Sequence, residues 1–311
     1  MRKVATVENS VSKIFVLGRH RSGTTWVTNI LAAHPSVFTP EHQAHQGQHE
    51  SAFFSSLVPY CRFGKTEVDL RAISAIFERS DYWKLLFPHT GPEIDIADCG
   101  LSAYFSQAMD QAAKDRKCAF WVEKTPAHTL VLRYLLKEYP DAYFVRVRRH
   151  RADVIRSNVY KFGNPGSYMD WIRHSVWHEL YEKVLDLYDD QIYSIEYEAL
   201  VDNPDRETHS LFHYLGIPPE NNLASGWAAD SSFGSKPPEV EKKYLNIIHF
   251  NAFLFRFAPR KLCERFVSRW LKKRGGFLPP WFFKVYKGMD ADHERANISD
   301  TRQPPATDKI I

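Results

Sequence analysis

The chain has 311 residues, which is enough for one large α/β domain or two small ones. Its hydrophobic fraction of 44% is enough for a buried core, so wholesale disorder is excluded. Its formal net charge of +4 suits an anionic ligand but is too weak to predict nucleic-acid binding. The four cysteines lack C-x-x-C spacing, which argues against a disulfide framework or a zinc site and favours a reducing compartment. Because residues 1–12 lack the apolar core of a signal peptide and no apolar stretch approaches roughly 20 residues, we expect a cytoplasmic protein without an integral membrane segment.

The first predicted elements are a strand, a loop and a helix. Apolar residues at positions 14–17 predict a buried strand that ends at Gly18, and a helical pattern begins after Gly23. Such a loop presents backbone N–H groups and a helix N-terminus to an anion, and its glycines permit the close approach that a phosphate requires. Neighbouring residues add hydroxyl groups and positive charge: Arg19, Arg21, Ser22, Thr24 and Thr25. The segment is therefore predicted to bind a phosphate.

The rest of the chain alternates between predicted helices and strands. Residues 43–66 are polar and rich in His and Gln, and predict an irregular surface segment. We expect helices at residues 68–79, 102–114, 128–138, 152–160, 168–188 and 206–215, and strands at residues 118–122, 142–147 and 191–195. This alternation predicts an α/β fold, a single domain with a mostly parallel central sheet flanked by helices. The domain is expected to cover residues 1–290, followed by a disordered tail at residues 291–311.

The loop departs from a nucleotide-triphosphate loop at one position. Thr24 stands where that loop has the lysine that reaches the β- and γ-phosphates, and the long cation comes earlier, as Arg21. Arg21 followed by Ser22, Gly23, Thr24 and Thr25 resembles the 5′-phosphosulfate loop of sulfotransferases that use 3′-phosphoadenosine 5′-phosphosulfate (PAPS), in which Lys or Arg precedes Ser-Gly-Thr-Thr. The resemblance implies a P-loop-like nucleotide-binding core.

A second candidate phosphate site lies beyond the strand predicted at residues 142–147. Arg149 follows this strand, and Ser157 stands eight positions later, about 12 Å along a helix. An arginine and a hydroxyl placed in this way are able to hold a phosphate together, although such a basic run is also typical of a solvated helix start. The spacing of Arg149, Asp153-Val154 and Ser157 resembles the 3′-phosphate motif of the same sulfotransferases.

Four further positions match patterns of this family. Glu41 stands twenty positions after Arg21 and follows an Ala-His-Pro run, as in the tyrosylprotein sulfotransferases and their bacterial relatives. Lys124 begins a Lys-Thr-Pro segment that looks like the strand-end lysine motif of those enzymes. Tyr197 begins a Tyr-Glu-x-Leu-Val segment and takes the place of their adenosine-contacting tyrosine, and Lys161 occupies a further basic position near the 3′-phosphate.

The resemblance implies a PAPS-dependent enzyme that uses positioned positive charge and needs no metal ion. It implies catalytic roles for Arg21, Glu41 and Lys124. Trp26 follows the cytosolic enzymes of the family, in which this tryptophan stacks on adenine. The residues implied in donor binding are Arg21, Ser22, Gly23, Thr24, Thr25, Trp26, Arg149, Ser157, Lys161 and Tyr197. The expected product of the donor is adenosine 3′,5′-bisphosphate.

One position departs from the cytosolic sulfotransferases. Their catalytic histidine follows Lys-Thr, whereas this chain has Pro126 at that position. The proton of an acceptor hydroxyl must then go to another group. Glu41 is the best placed by the resemblance, and His42 and His128 compete with it because an unperturbed histidine has a convenient pKa. We expect transfer of a sulfuryl group to a hydroxyl by in-line displacement, with Glu41 as the base.

Two other functions stay open, an ATP- and magnesium-dependent P-loop phosphotransferase and a non-catalytic nucleotide-binding protein. The missing loop lysine argues against the first, and the joint presence of Arg21, Glu41 and Lys124 argues against the second. The sequence does not identify the acceptor, which is a small metabolite, a sugar, a lipid or a peptide. The aromatic and basic residues 276–287 are expected to dock onto the core, with weak peripheral membrane contact as the alternative.

Overall fold

The structure is a computed structural model that describes residues 11–42, 47–48, 50–63, 69–218 and 239–274. The tail predicted at residues 291–311 and the aromatic segment at residues 276–287 lie outside the described residues. In the part of the chain that is described, no helix has the length and apolar character needed to cross a membrane. All four cysteines are free thiols.

The centre of the fold is a parallel sheet. The described strands are β1 (Ser12–Leu17), β2 (Val37–Phe38), β3 (Glu41–His42), β4 (Gly47–Gln48), β5 (Phe120–Lys124), β6 (Tyr143–Arg148) and β7 (Tyr193–Glu196). Five of them form one sheet in the order β2-β5-β1-β6-β7, and every neighbouring pair in it is parallel. β3 and β4 form a separate antiparallel pair. The carboxyl ends of the five parallel strands therefore meet at one edge, where open parallel sheets bind ligands.

Helices cover both faces of this sheet. The described α-helices are α1 (Thr24–Ala32), α2 (Phe53–Phe63), α3 (Leu70–Glu78), α4 (Asp81–Leu86), α5 (Ile96–Asp115), α6 (Leu132–Glu138), α7 (Arg151–Phe162), α8 (Tyr168–Asp186), α9 (Tyr197–Asp202), α10 (Pro204–Leu215), α11 (Lys242–Phe257) and α12 (Arg260–Arg274), with 3₁₀ helices at Pro126–Val131 and Asp189–Gln191. Side chains of β1 alternate between the two faces. Phe15 and Leu17 join a core with α2 and α5, while Ile14 and Val16 join a second core with α1 and α10.

The predicted α/β fold with a mostly parallel sheet flanked by helices is confirmed. The predicted strands correspond to β5, β6 and β7 with small shifts at their ends, and most predicted helices have a counterpart. The helix predicted at residues 128–138 divides into a 3₁₀ helix and α6. α5 is interrupted at Gly100, which has the non-helical angles φ 78° and ψ 172°, so its longer part after Gly100 corresponds to the helix predicted at residues 102–114. α10 ends at Gly216, whose left-handed φ of 69° closes the helix as a C-terminal glycine does. α4, α9, α11 and α12 are not among the predicted elements.

The irregular segment predicted at residues 43–66 is wrong in its second half. α2 begins at Phe53, and the side chains of Phe53, Phe54 and Leu57 are fully buried. These positions share one helical face, but the polar run before them and Pro59 inside the helix hide the period in the sequence. The helix forms because its apolar face packs into the core, and such packing outweighs a weak local signal.

A buried carboxylate joins β5 to the segments beside it. Glu123 is 1% exposed, and its Oε1 accepts hydrogen bonds from Ser51 Oγ at 2.7 Å and from Thr125 Oγ1 at 2.6 Å. Its Oε2 accepts a hydrogen bond from Tyr82 Oη at 2.8 Å, and His128 Nε2 lies 3.3 Å from Oε1. Burial alone would raise the pKa of Glu123, but His128 and the hydroxyl donors lower it. The charged side chain therefore ties α4 and the segment before α2 to the sheet.

We expect Glu123→Gln to lower the free energy of unfolding by about 3 kcal/mol, because the amide leaves part of this buried network unsatisfied. A folded-state pKa below the ordinary value of 4.5 means that the carboxylate stabilises the fold above that pH. This contribution is lost as the pH falls through the folded-state pKa, so the difference between the wild-type protein and the variant should shrink in acid. Urea denaturation at neutral and acidic pH measures both effects. Glu93→Gln, at an exposed position, is the control, and equal losses in the two variants would contradict the prediction.

Candidate active site

The predicted phosphate loop, residues 18–23, connects the end of β1 to the start of α1. Gly18 and Gly23 have φ values of +148° and +101°, which side-chain-bearing residues rarely adopt. A Cβ at Gly18 would lie 2.7 Å from Ser22 Oγ, and a Cβ at Gly23 would overlap the ring of Tyr197. Arg21 also has a left-handed φ of 74°, a conformation that functional loops retain at some cost in stability. Glycine is therefore required at both ends of the loop.

Two side chains from neighbouring elements hold the loop backbone. Thr129 lies in the 3₁₀ helix after β5, and its Oγ1 accepts from the N–H of Gly18 and donates to the carbonyl of Gly18, both at 3.2 Å. Asn158 lies in α7, and its Nδ2 donates to the carbonyl of His20 at 2.7 Å. The loop is thus held in one conformation by contacts within the protein, which reduces the entropy lost when a ligand binds.

The two predicted phosphate motifs meet in the structure. Arg21 Nε donates a hydrogen bond to Ser157 Oγ at 3.0 Å, although the two residues are 136 positions apart. Arg149 Nη1 donates to the carbonyl of Arg21 at 3.3 Å. Arg149 follows β6 and Ser157 lies in α7, so these contacts join the unit of β1 and α1 to the unit of β6 and α7. The candidate 5′ and 3′ sites form one continuous surface.

An aromatic pair lines the same surface. The guanidinium carbon of Arg149 lies 4.2 Å from the ring centre of Tyr197, and the rings of Tyr197 and Trp26 meet edge to face with their centres 5.4 Å apart. Tyr197 begins α9 directly after β7, Arg149 follows β6, and Trp26 lies in the helix after β1. Side chains from the segments that follow three strands of the sheet therefore meet here. Lys161 is exposed on α7, about one helical turn after Ser157.

The electrostatics of this surface favour an anion. Burial and the neighbouring Arg149 lower the pKa of Arg21, as expected for two cations held close together. Thr24 is buried and Thr25 half-buried in the first turn of α1, whose N-terminus carries a partial positive charge. On this surface, three buried polar atoms have no hydrogen-bond partner among the described residues: Ser22 Oγ, Trp26 Nε1 and Arg149 Nε. Because buried polar groups are normally paired, the arrangement fits a ligand that brings hydrogen-bond acceptors.

Lys124, the predicted catalytic lysine, ends β5 and is only 3% exposed. Its Nζ forms an ion pair with Glu50 Oε1 at 2.7 Å. Desolvation would raise the pKa of Glu50, but Lys124 and then His20 outweigh it and lower that pKa. Glu50 directly precedes Ser51, whose hydroxyl contacts Glu123. The ion pair at the sheet edge is therefore positioned by the buried carboxylate beside it.

Glu41, the predicted base, lies in β3 and is exposed. Phe38 of β2 pairs with Trp121 of β5, so Glu41 and Lys124 each stand three residues beyond this pair, at the carboxyl edge of the sheet. Among the described contacts, none joins Glu41 to another candidate residue. Its role as the base stays a prediction.

The competing histidines differ in how well the structure places them. His128 is 1% exposed and lies inside the core against Glu123, and its Nδ1 accepts a hydrogen bond from the backbone N–H of Ser55 at 3.3 Å. A side chain held in this way does not reach an acceptor, so its role is structural. Pro126 begins the 3₁₀ helix and is also buried. The side chain of His42 lies outside the described part of the chain.

Arg19 is a second loop cation, and it is buried. It is 2% exposed, its Nη2 lies 3.1 Å from His174 Nδ1, and its guanidinium carbon lies 5.6 Å from the ring centre of Tyr181. Burial lowers the pKa of Arg19 to about 10, and burial together with Arg19 lowers the pKa of His174 to about 3. His174 is therefore neutral and accepts the hydrogen bond. Arg19 Nε and Nη1 have no partner among the described residues.

Comparison with known proteins assigns the family. The family model described as Sulfotransferase family matches residues 13–221. The chain belongs to the sulfotransferase family. The matched range contains both phosphate motifs, Lys124 and Tyr197, so the family recognised from the sequence is confirmed. Within the described part of this sulfotransferase, no three His, Cys, Asp or Glu side chains come together as the ligands of a metal ion would.

Individual relatives are distant. A protein of Aquifex aeolicus (strain VF5), described as an uncharacterized protein, is 25% identical over an alignment of 227 residues. The alignment covers 68% of this chain and 26% of that protein, so this chain spans about a quarter of its length. Among solved structures, sulfotransferase STF9 from Mycobacterium avium is 15% identical with a TM-score of 0.44, over 69% of this chain and 66% of that one. The sulfotransferase domain from the curacin biosynthetic pathway is 17% identical with a TM-score of 0.43, over 85% of this chain and 98% of that one.

Two residues of the site, Asn158 and Glu50, lie outside the sequence motifs, and Arg19 lies inside the loop but away from the surface that the motif predicts. Asn158 follows Ser157 directly, so the second motif points to its neighbourhood. Arg19 lies in the loop, but its burial against α8 depends on the fold. Glu50 stands in a polar run before α2, where nothing distinguishes it from the residues around it.

We expect Arg19→Met to raise the free energy of unfolding by about 1–3 kcal/mol, because a buried guanidinium without a bonded counter-ion is replaced by an apolar side chain of similar length. A cation whose pKa is lowered in the folded state destabilises that state at every pH below its folded pKa of about 10. Urea denaturation at neutral pH measures the change.

The control for Arg19→Met is Arg146→Met. Arg146 is fully buried too, but its guanidinium forms ion pairs with Glu182 and Asp186. Its loss removes the ion pair of Glu182 and one of the two arginine contacts of Asp186, and should lower the free energy of unfolding by about 3–5 kcal/mol. A loss of stability of similar size in both variants would contradict the prediction, because it would mean that the protein stabilises the buried charge of Arg19 as well as that of Arg146.

Proposed function

We propose that this sulfotransferase transfers the sulfuryl group of PAPS to a hydroxyl group of an acceptor. The observation that carries the proposal is the hydrogen bond from Arg21 to Ser157, which joins the loop after β1 to the helix after β6. A donor with phosphate groups at both its 5′ and 3′ positions needs two anion sites at a short distance, and this contact makes the two candidate sites adjacent. The absence of the loop lysine, with Thr24 in its place, favours PAPS over a nucleoside triphosphate.

The residues present fit this donor. The loop N–H groups, the N-terminus of α1 and Arg21 suit the anionic 5′ end, and Arg149 with Ser157 suits the 3′-phosphate. The unpartnered polar atoms of Ser22, Trp26 and Arg149 are all hydrogen-bond donors, which is what an anionic ligand requires. We assign donor binding to Arg21, Ser22, Gly23, Thr24, Thr25, Trp26, Arg149, Ser157, Lys161 and Tyr197.

The chain's contribution to the reaction is fixed positive charge. When bound, PAPS supplies an activated sulfuryl group and leaves as adenosine 3′,5′-bisphosphate. We assign to Arg21 the stabilisation of negative charge on the departing phosphate, and to Lys124 the stabilisation of charge in the transition state. Both cations are held in place before reaction, Arg21 by Ser157 and Lys124 by Glu50. Charges that are already oriented need no reorganisation when the transition state forms.

The acceptor hydroxyl must lose its proton as it attacks, and we assign that proton to Glu41. Glu41 is exposed at the carboxyl edge of the sheet, so an acceptor can reach it. A carboxylate becomes a more efficient base near neutral pH when the docked acceptor desolvates it and raises its pKa. Glu50 is the alternative because it contacts Lys124, but Lys124 and His20 outweigh desolvation there and lower its pKa, which weakens it as a base. We therefore assign to Glu50 the positioning of Lys124.

We expect adenosine 3′,5′-bisphosphate to bind more tightly than AMP, because Arg149 and Ser157 are placed to hold a 3′-phosphate. Charge-assisted hydrogen bonds are worth about 1.5–3 kcal/mol each, so Arg149→Ala should weaken binding of the bisphosphate by at least about tenfold and leave the affinity for AMP much less changed. Isothermal titration calorimetry with both nucleotides measures the difference.

The matched control for this prediction is Arg148→Ala. Arg148 is the neighbouring residue, but its guanidinium contacts Asp186 and Glu196. The Arg148→Ala substitution should therefore not change the affinity for the bisphosphate. Equal affinities of the wild-type protein for AMP and the bisphosphate would overturn the assignment of the 3′ site, and tight binding of ATP with magnesium in place of the bisphosphate would favour the phosphotransferase alternative.

The assignment of the base makes a separate prediction. Glu41→Gln should lower kcat by about 10²-fold or more, the order expected for the loss of a general base, while the affinity for the bisphosphate stays unchanged. Glu50→Gln makes the same chemical change and should cost less than about tenfold, because it loosens Lys124 without removing the base. Steady-state kinetics of the two variants on any accepted hydroxyl substrate measure the contrast. The reverse order of the two losses would assign the base to Glu50.

A further inference from the structure

α11 and α12 both pack on α8, and they also contact α7 and α2 respectively. Tyr244 of α11 stacks on Trp171 of α8 with ring centres 4.5 Å apart, and Ile248 is buried one turn later. Trp270 of α12 packs on Trp177 of α8 with ring centres 4.9 Å apart. The two helices are therefore part of the folded domain, and each has a second face that α8 does not cover.

The uncovered faces are strongly apolar. Of the eleven exposed large hydrophobic side chains in the described part of the chain, six lie on these two helices: Phe250 62%, Phe253 58%, Leu254 49% and Phe257 68% exposed on α11, and Leu262 58% and Phe266 51% exposed on α12. The α11 positions follow the spacing i, i+3, i+4, i+7, which forms one continuous stripe along a helix. Three exposed phenylalanines on one stripe are unusual for a surface that faces water alone.

The same helices carry a large excess of positive over negative charge. Residues 242–274 contain ten Lys and Arg residues and one acidic residue, Glu264, a formal charge of +9. Since the whole chain has a formal charge of +4, the remainder carries −5. The net positive charge of the whole chain therefore comes from this pair of helices.

Apolar and basic side chains share one face of α12. Leu262, Phe266, Arg269 and Lys273 stand at i, i+4, i+7 and i+11, and all four are exposed. Long basic side chains lay their apolar stems along such a face and keep the charged end in a polar layer. Phenylalanine flanked by Lys and Arg is the pattern of a helix that lies in a membrane interface.

We propose that the exposed faces of α11 and α12 form a membrane-binding surface for bilayers with anionic lipids. The apolar stripe matches the acyl boundary of a bilayer, and the +9 charge matches anionic headgroups. A second copy of this chain is a poorer occupant, because two faces of this charge would repel each other. This surface is independent of the nucleotide site, which lies at the carboxyl edge of the sheet.

The test is sedimentation of the full chain with vesicles of phosphatidylcholine alone and of phosphatidylcholine mixed with phosphatidylserine. The wild-type protein should bind only the mixed vesicles, and high salt should weaken the binding because it screens surface charge. The triple variant Arg265→Gln, Arg269→Gln, Lys272→Gln should bind at least about tenfold more weakly. The matched control removes three charges elsewhere, with Lys84→Gln, Lys114→Gln and Lys137→Gln on α4, α5 and α6, and should bind like the wild-type protein.

The apolar stripe is tested by a second variant, Phe250→Ser, Phe253→Ser, Phe257→Ser. It should lose binding to the mixed vesicles while its circular dichroism spectrum and its affinity for adenosine 3′,5′-bisphosphate match those of the wild-type protein. Failure of the wild-type protein to bind the mixed vesicles at low salt would overturn the proposal. So would a stripe variant that still binds vesicles but converts a dimer to a monomer in light scattering, since the stripe would then be an interface between copies of this chain.

Discussion

The carboxylate of Glu123 is the constraint on which the candidate active site depends. It is buried next to Lys124 in the same strand, and it accepts hydrogen bonds from Ser51, Thr125 and Tyr82. Because successive side chains of a strand point to opposite faces of the sheet, fixing Glu123 on one face of β5 keeps Lys124, the last residue of the strand, on the other face. Because Ser51 follows Glu50, the same contact brings the partner of Lys124 into place. The buried carboxylate of Glu123 thus positions the ion pair of Lys124 and Glu50 without contacting either charged group.

The loop side of the site shows a different balance of forces. Arg21, Arg149 and Arg19 bring positive charge into partly or fully buried positions, and burial lowers the pKa of Arg21 and Arg19. Concentrating cations in this way costs stability in the protein by itself, and an anion bound at Arg21 and Arg149, as we propose, would offset part of that cost. Arg146 shows the contrasting case, since its buried guanidinium contacts three carboxylates and serves the fold. Arg146 is therefore a structural arginine, whereas Arg21 and Arg149 are candidates for ligand binding.

α8 lies between the candidate donor site and the proposed membrane-binding surface. Its residues His174 and Tyr181 contact Arg19 of the loop. Its residues Trp171 and Trp177 pack against aromatic side chains of α11 and α12, respectively. This helix therefore separates the candidate donor site at the sheet edge from the basic, apolar surface outside it. A sulfotransferase held at a bilayer through that surface would meet its acceptors among molecules near the membrane.

The sequence by itself determined the family, the parallel sheet and the candidate donor site, because these rest on local signals. A strand, a loop between two glycines and a helix are short-range patterns, and Arg149 with Ser157 keeps a fixed spacing along one helix. Only the tertiary structure decided what is buried and which distant residues meet. Glu50 reaches Lys124 across 74 positions, and Arg19 reaches His174 across 155. α2 forms where the local pattern predicts an irregular segment, because its phenylalanines gain a core that exists only after the sheet has assembled. The burial of a side chain and its contacts with residues distant in the sequence depend on the whole fold, so no local sequence pattern predicts them.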